Sequence, residues 1–282
     1  AMPKAKGNYP AVVMIHEWWG LNDNIKEMAR SLAAEGYVVL AVDLYNGKVG
    51  KNATEAGQLA SKVRSNPAEA IINMKAAVQY LKSLDNVDDN KIASMGWCFG
   101  GAMSLQLALN EPLNATIIYY GSLETNASKL SVIKWPVLGI FGEKDTSIPV
   151  ESVRKFEAAL NELGIENEIY VYPNVGHAFA NPSGMNYAPN ETKDAWKKTV
   201  EFLNRELKRD MAESDSNLIK EDYCEKDIDC APNTCCHPSR LINKRFASKC
   251  DGISCTAVCS GPLDCRRWKP LCQNNICTII FE

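Results

Sequence analysis

Six short apolar runs, most of them rich in valine or isoleucine, recur through the first 172 residues: AVVMIH (11–16), YVVLAV (37–42), KIASMG (91–96), ATIIYY (115–120), PVLGIF (136–141) and NEIYVY (167–172). Each is too short for a buried helix and has the content of a buried strand. Between them lie stretches with apolar residues at helical spacing, near 23–35, 67–83, 100–109, 150–163 and 190–207, as in Ile71, Met74, Val78 and Leu81. Strands apolar on both faces that alternate with helices predict an α/β fold, a mostly parallel sheet flanked by helices.

At 282 residues the chain is long enough for one large domain or two smaller ones, and folding buries roughly three quarters of its surface. Cysteine usage divides it. Cys98 stands alone in the first 223 residues, and the other ten of eleven cysteines fall between Cys224 and Cys277. The polar stretch 211–223 reads as a linker between an α/β domain over 1–210 and a small cysteine-rich module over 224–282, with ICTIIF (276–281) as that module's closing strand.

Ten is an even number. Cys224, Cys230, Cys235, Cys236, Cys250, Cys255, Cys259, Cys265, Cys272 and Cys277 are therefore disulfide candidates among themselves, with Cys98 left over. Such bonds, about 2–4 kcal/mol each taken alone, would replace the core that a module this small lacks. They predict an oxidising, extracellular or cell-surface location. Zinc is the competing reading, carried by Cys235, Cys236 and His237, although the spacing lacks a clean pair of CxxC knuckles. Sequons at Asn52, Asn114, Asn126 and Asn190 are permissive of secretion. No signal peptide is visible, so the chain reads as a mature or trimmed one whose leader has been removed. No apolar run reaches 18 residues, which predicts no membrane span. A net charge of −3 without a basic block argues against nucleic acid or an anionic membrane as partner.

The chemistry centres on SMGWCFGGAM (94–103). Cys98 sits in GxCxG between a strand and a helix, the setting of a nucleophile elbow. The glycines leave room for a sharp turn, and the helix N-terminus favours a thiolate. The plain alternative is a small buried hydrophobe. Of the three histidines, His177 in NVGHAFANP follows the last predicted strand, at the carboxyl end where open α/β sheets build their sites. Asp145 in FGEKDTSIP lies just past the fifth run. The order Cys98, Asp145, His177 is that of nucleophile, acid and base in α/β-hydrolases, although Asp145 and His177 taken singly read as turn and loop residues. Glu17 ends the first run in IHEWWGLND, either as a charge leaving the sheet or as a carboxylate beside the thiol. The N–H of Trp18 and that of Phe99 are candidates for an oxyanion hole.

Through HEWWGLND, VVLAVDLY, GWCFGG, GEKD and VGHAFA, in that order, residues 9–207 resemble the dienelactone hydrolase family. The resemblance implies an α/β-hydrolase fold and a Cys98, Asp145, His177 triad. It also implies a Glu17 that holds the resting thiol protonated and takes its proton when substrate binds. Family members acting on dienelactone hold its carboxylate with arginines, and one of those positions here is Asn181, which departs from that specificity. Trp19, Tyr45, Trp97 and Tyr120, with Asn181, are candidate lining for a more apolar ester or lactone pocket. The family also carries strands ahead of this point, so an edge hairpin is expected to be missing or shortened.

The expected function is hydrolysis of carboxylic esters or lactones through a thioester acyl-enzyme, with a small-molecule substrate and no cofactor or metal. A broad carboxylesterase or thioesterase is the alternative within catalysis. A surface binding or adhesion protein with a vestigial hydrolase body is the alternative from another class.

Overall fold

A computed structural model describes residues 1–208, 224–232, 241–245, 247, 268–273 and 276–281. The chain divides into two compact units, Ala1–Lys208 and Arg209–Glu282.

In the first unit all six apolar runs become strands: β1 (Tyr9–Ile15), β2 (Val38–Val42), β3 (Val87–Trp97), β4 (Ala115–Tyr119), β5 (Val137–Gly142) and β6 (Asn167–Tyr172). The helices are α1 (Asp23–Ala34), α2 (Ala53–Ser65), α3 (Ala68–Lys82), α4 (Phe99–Ala108), the single turn α5 (Ala127–Leu130), α6 (Val150–Glu162) and α7 (Pro189–Leu207). The sheet runs β2-β1-β3-β4-β5-β6 with every neighbour parallel. Alternate residues of one strand serve opposite faces. Val13 and Ile15 pack with Met74, Leu105 and Phe156 from α3, α4 and α6, whereas Val12 and Met14 pack with Ile25, Leu32 and Phe202 from α1 and α7. This double burial is why the inner runs are largely apolar rather than alternating.

Two elements differ from expectation. Strand β3 begins at Val87 rather than Lys91, and α2 occupies a stretch in which no helix was predicted. Only Ala56 and Ala60 of α2 are fully buried, with Leu59 and Val63 packed partly buried against the same core, so the stripe Ala56, Leu59, Ala60 and Val63 has helical spacing but is half alanine and does not stand out. Its start is marked instead by a cap: the Glu55 N–H donates to the Asn52 side chain at 3.0 Å, and the Lys51 N–H donates to the Glu55 carboxylate at 3.0 Å.

Strand order reverses between β1 and β3, whose successors lie on opposite sides. Loops leaving their carboxyl ends therefore diverge and open a crevice there. Residues 16–22 and Cys98 stand at its two lips.

In the second unit β7 (Cys230–Pro232) pairs antiparallel with β8 (Leu241–Asn243), and β9 (Trp268–Gln273) with β10 (Ile276–Phe281), the expected closing strand. Cys272 and Cys277 face each other across β9 and β10, and each is tied outward, in the disulfides Cys224–Cys272 and Cys230–Cys277. Cys224 is fully buried with Cys230, Leu241 and Cys277 around it, so the cross-links stand at the centre of this small core. The other six candidates, Cys235, Cys236, Cys250, Cys255, Cys259 and Cys265, lie outside the described residues, as do His237 and the linker 211–223. Three of the four sequon asparagines have local structural uses: Asn52 and Asn126 cap α2 and α5, and Asn114 accepts from the Ile92 N–H. Among the described residues no helix is long and apolar enough to cross a membrane.

Candidate active site

The turn from β3 into α4 leaves no space for side chains. A Cβ on Gly96 would stand 2.2 Å from the Gly100 carbonyl oxygen, and one on Gly100 would stand 2.3 Å from that of Ile15. Only glycine lets the elbow close this tightly against β1. Cys98 sits at the tip with φ 55° and ψ −114°, a left-handed backbone that a non-glycine residue adopts at a cost of about 1–3 kcal/mol. Its N–H is held by the Tyr119 carbonyl at 2.9 Å, and its thiol is partly exposed, the lone free thiol among the described residues.

The three residues that sequence order grouped are brought together. His177 Nδ1–H donates to Asp145 Oδ2 at 2.7 Å, and His177 Nε2 faces Cys98 Sγ at 3.1 Å. Asp145 is buried, and its other oxygen accepts from the N–H groups of Ser147 (2.8 Å) and Ile148 (3.0 Å), so the carboxylate cannot rotate away. That fixes the hydrogen on Nδ1 and turns Nε2 to the sulfur. Desolvation pulls the His177 pKa down, but its hydrogen bonds to Asp145 and Cys98 outweigh this and raise it to about 10.

Glu17 is buried at the end of β1, 4% exposed, and faces the same cavity. The Asn181 side-chain amide donates to its Oε2 at 2.5 Å, and the Tyr120 hydroxyl to Oε1 at 3.4 Å. Asn181 is itself fixed, because its Oδ1 accepts from the Ser183 N–H at 2.9 Å. Burial raises the Glu17 pKa to about 7, against the opposing pull of Asn181, His177 and Tyr120. His16, beside it, is fully buried and bridges two strand ends: its Nδ1–H donates to the Glu17 carbonyl at 2.6 Å, and its Nε2 accepts from the Leu44 N–H at 3.2 Å. With both ring nitrogens used in this way it is a neutral clamp on the backbone that carries Glu17.

A cavity of about 590 Å³ opens over Cys98, with Glu17, Trp18, Trp19, His177 and Asn181 in its wall. Trp19 and Asn181 therefore stand where expected. Tyr45, Trp97 and Tyr120 do not line it. Trp97 follows Met95 by two residues on β3, so both face the α1 and α7 side of the sheet, where Trp97 packs against Tyr119. Tyr45 is buried beneath the elbow against His16 and Phe99, and borders a separate cavity of about 280 Å³ with Asp43, Lys48 and Lys62. Tyr120 lies behind the wall, its ring edge-on to His177 at 5.3 Å and its hydroxyl on Glu17.

Sequence reasoning missed Arg64, Ser122, Ser147, Met185 and Asn186, all in the cavity wall. Arg64 comes from the unpredicted α2. Its guanidinium stands over the Phe99 ring at 5.8 Å, and it forms no ion pair with a carboxylate among the described residues. Asn186 donates to the His177 carbonyl at 2.9 Å and steadies the loop that carries the histidine.

The sequence and fold of residues 1–208 have known counterparts. The chain is 34% identical over 214 residues to the protein Usf of Aquifex pyrophilus, covering 73% of this chain and 92% of that one. It is 31% identical over 229 residues to a Saccharolobus solfataricus protein provisionally named carboxymethylenebutenolidase, covering 69% and 89%. Among solved structures, a provisionally assigned dienelactone hydrolase of Klebsiella pneumoniae superposes with a TM-score of 0.66 at 28% identity, over 72% of this chain and 90% of that one. A dienelactone hydrolase-like promiscuous phosphotriesterase from metagenomic libraries superposes at 0.67 with 26% identity, over 72% and 88%. Residues 1–207, which contain Glu17, Cys98, Asp145 and His177, match the dienelactone hydrolase family, and the chain belongs to that family of α/β-hydrolase enzymes.

Proposed function

We propose that this protein hydrolyses carboxylic esters or lactones through Cys98 and a thioester acyl-enzyme. The observation that carries the reading is the unbroken line from Asp145 through His177 to the Cys98 sulfur, at 2.7 and 3.1 Å. A histidine held near pKa 10 is an imidazolium at neutral pH, the partner a thiolate needs.

On substrate binding the Glu17 carboxylate accepts the thiol proton, the role its family resemblance implies, and leaves a thiolate beside His177. Sγ bonds to the carbonyl carbon, and the π pair moves to oxygen. Phe99, at the first position of α4, has a free N–H for that oxyanion, and the Trp18 N–H on the opposite lip supplies the second. Collapse expels the alkoxide, or the ring oxygen of a lactone, which takes the proton from His177 Nε2. Nε2 then takes a proton from water, hydroxide adds to the thioester, and the acid leaves as the thiolate and imidazolium reform. The proton on Glu17 returns to sulfur when product departs.

The wall suits a small organic substrate. Trp18 and Trp19, whose rings stand 5.1 Å apart edge to face, offer apolar area, and Arg64 offers a cation that has no ion-pair partner among the described residues. This favours an acyl compound with both apolar surface and an anionic group, and makes Arg64 the residue that would meet the charge. The test is hydrolysis of p-nitrophenyl acetate and of a lactone panel by wild type and Cys98→Ala. A loss of at least about 10³-fold is expected, and undiminished hydrolysis by the variant would remove the mechanism. The two disulfides of the second unit support the accompanying reading of an oxidising, extracellular or surface location.

A further inference from the structure

A second hollow, of about 290 Å³, lies beside the catalytic cavity, between the outer face of α4 and the chain that follows β4. Ala102, Met103 and Gln106 form its floor, and Pro67 and Leu123 its sides. It shares two residues with the catalytic cavity, Arg64 and Ser122, so the two spaces adjoin at these side chains. The acid on its border, Glu124, is already neutralised by Lys129 at 2.8 Å, which leaves the hollow without a free negative charge to repel a substrate.

Direction decides which part of a substrate could enter. A leaving oxygen must receive its proton from His177 Nε2, so it departs on the side of the loop 177–186. That loop contributes His177, Ala178, Asn181, Gly184, Met185 and Asn186 to the catalytic cavity and nothing to the hollow. The retained acyl limb therefore runs the other way from the sulfur, past Ser122 and Arg64.

We propose that the hollow is the acyl-chain subsite. The substrates it selects are esters with a medium-length, largely apolar acyl limb that runs past Ser122 and Arg64 onto Met103 and Gln106. This rests on the esterase reading above and adds the class of acyl group to it.

The experiment compares p-nitrophenyl acetate with p-nitrophenyl octanoate on the full chain, and its readout is the ratio of kcat/KM values, octanoate over acetate. Burial of the added methylenes raises that ratio at least tenfold in wild type. Gln106→Trp, which fills the floor, collapses the ratio toward one, and Gln106→Ala, which deepens it, moves the preferred length upward. A ratio unchanged by Gln106→Trp overturns the subsite. Octanoate titrated calorimetrically into Cys98→Ala protein provides a reading independent of turnover. Binding weakened by a further Gln106→Trp supports the hollow even if no ester is cleaved, and absent or unaltered binding overturns it. Failure of both esters to react in wild type would count against the esterase reading alone.

Discussion

The buried carboxylate of Glu17 is held by the side-chain amide of Asn181 at 2.5 Å, a neutral donor where family members that act on dienelactone place a cation. An arginine would keep such a carboxylate ionised well into acid. Asn181 only partly offsets the cost of burial, and the Glu17 pKa stands near 7.

Activity should therefore rise with pH as Glu17 ionises, with kcat/KM climbing through a midpoint near 7 and falling again near 10 as His177 loses its proton. Glu17→Gln should abolish the limb near 7 and lower kcat/KM by about 10- to 100-fold. Asn181→Ala removes a bond that favours the ionised form, so the limb should move to higher pH. A wild-type limb that survives in Glu17→Gln would assign it to another group.

Stability carries the same titration with a definite sign. The folded pKa of Glu17 lies above its unfolded value of 4.5, so its contribution is fully present below pH 4.5 and is lost as pH rises through about 7. The separation corresponds to about 3 kcal/mol as an order of magnitude. His177 also loses a stabilising contribution, from 6.5 upward through about 10, in wild type and variant alike. Urea unfolding should thus find Glu17→Gln more stable than wild type at pH 8 and similar at pH 4. A gap independent of pH would mean that the carboxyl is not strained by burial.

How much of this was legible depends on how local the signal is. The four inner strands were, because both of their faces are buried and each run is largely apolar regardless of phase, and the partly exposed edge strands β2 and β6 were by their β-branched and aromatic content. The line of Cys98, Asp145 and His177 was, because each residue follows a strand and the topology carries strand ends to one edge. Trp97 was misplaced by its nearness to the thiol, although counting two residues from Met95 puts it on the opposite face of the sheet. Arg64 had only a weak local signal: it reaches the cavity from a helix whose core-facing stripe, Ala56, Leu59, Ala60 and Val63, is half alanine, and the Asn52 and Glu55 cap marks where that helix starts.

An arginine with no ion-pair partner among the described residues, as Arg64 is, should show itself in substrate charge. Arg64→Met is expected to lower kcat/KM for p-nitrophenyl hemisuccinate by roughly 5- to 10-fold, about 1 kcal/mol for one charge-assisted bond at an exposed rim, with little change for the neutral butyrate ester. The difference should shrink in 0.5 M salt, where the Debye length falls to about 4 Å. Equal effects on both esters would make Arg64 a packing residue for Phe99.

Asp145 bears on His177 through tautomer as well as charge. Asp145→Asn keeps the shape but presents an N–H where Nδ1–H now donates, which favours the tautomer with hydrogen on Nε2, facing the sulfur. By analogy with serine hydrolase triads, kcat should fall about 10³- to 10⁴-fold with KM little altered. Substrate binding that failed together with turnover would point instead to loss of the turn that Asp145 holds through Ser147 and Ile148.

The cysteines of the second unit yield a count. Cys224–Cys272 and Cys230–Cys277 close loops of 48 and 47 residues, each worth about 4 kcal/mol of chain entropy taken alone. With ten cysteines paired, thiol titration of the denatured, unreduced protein should find one thiol per chain, and none in Cys98→Ser. Several thiols, or release of zinc on thiol modification, would overturn the pairing. Among the described residues, the apolar clusters around β1–β6 draw only on residues before 209. Reduction that raises the count toward eleven should therefore leave at least half of the ester hydrolysis, and complete loss of activity on reduction would show that the second unit supports the site.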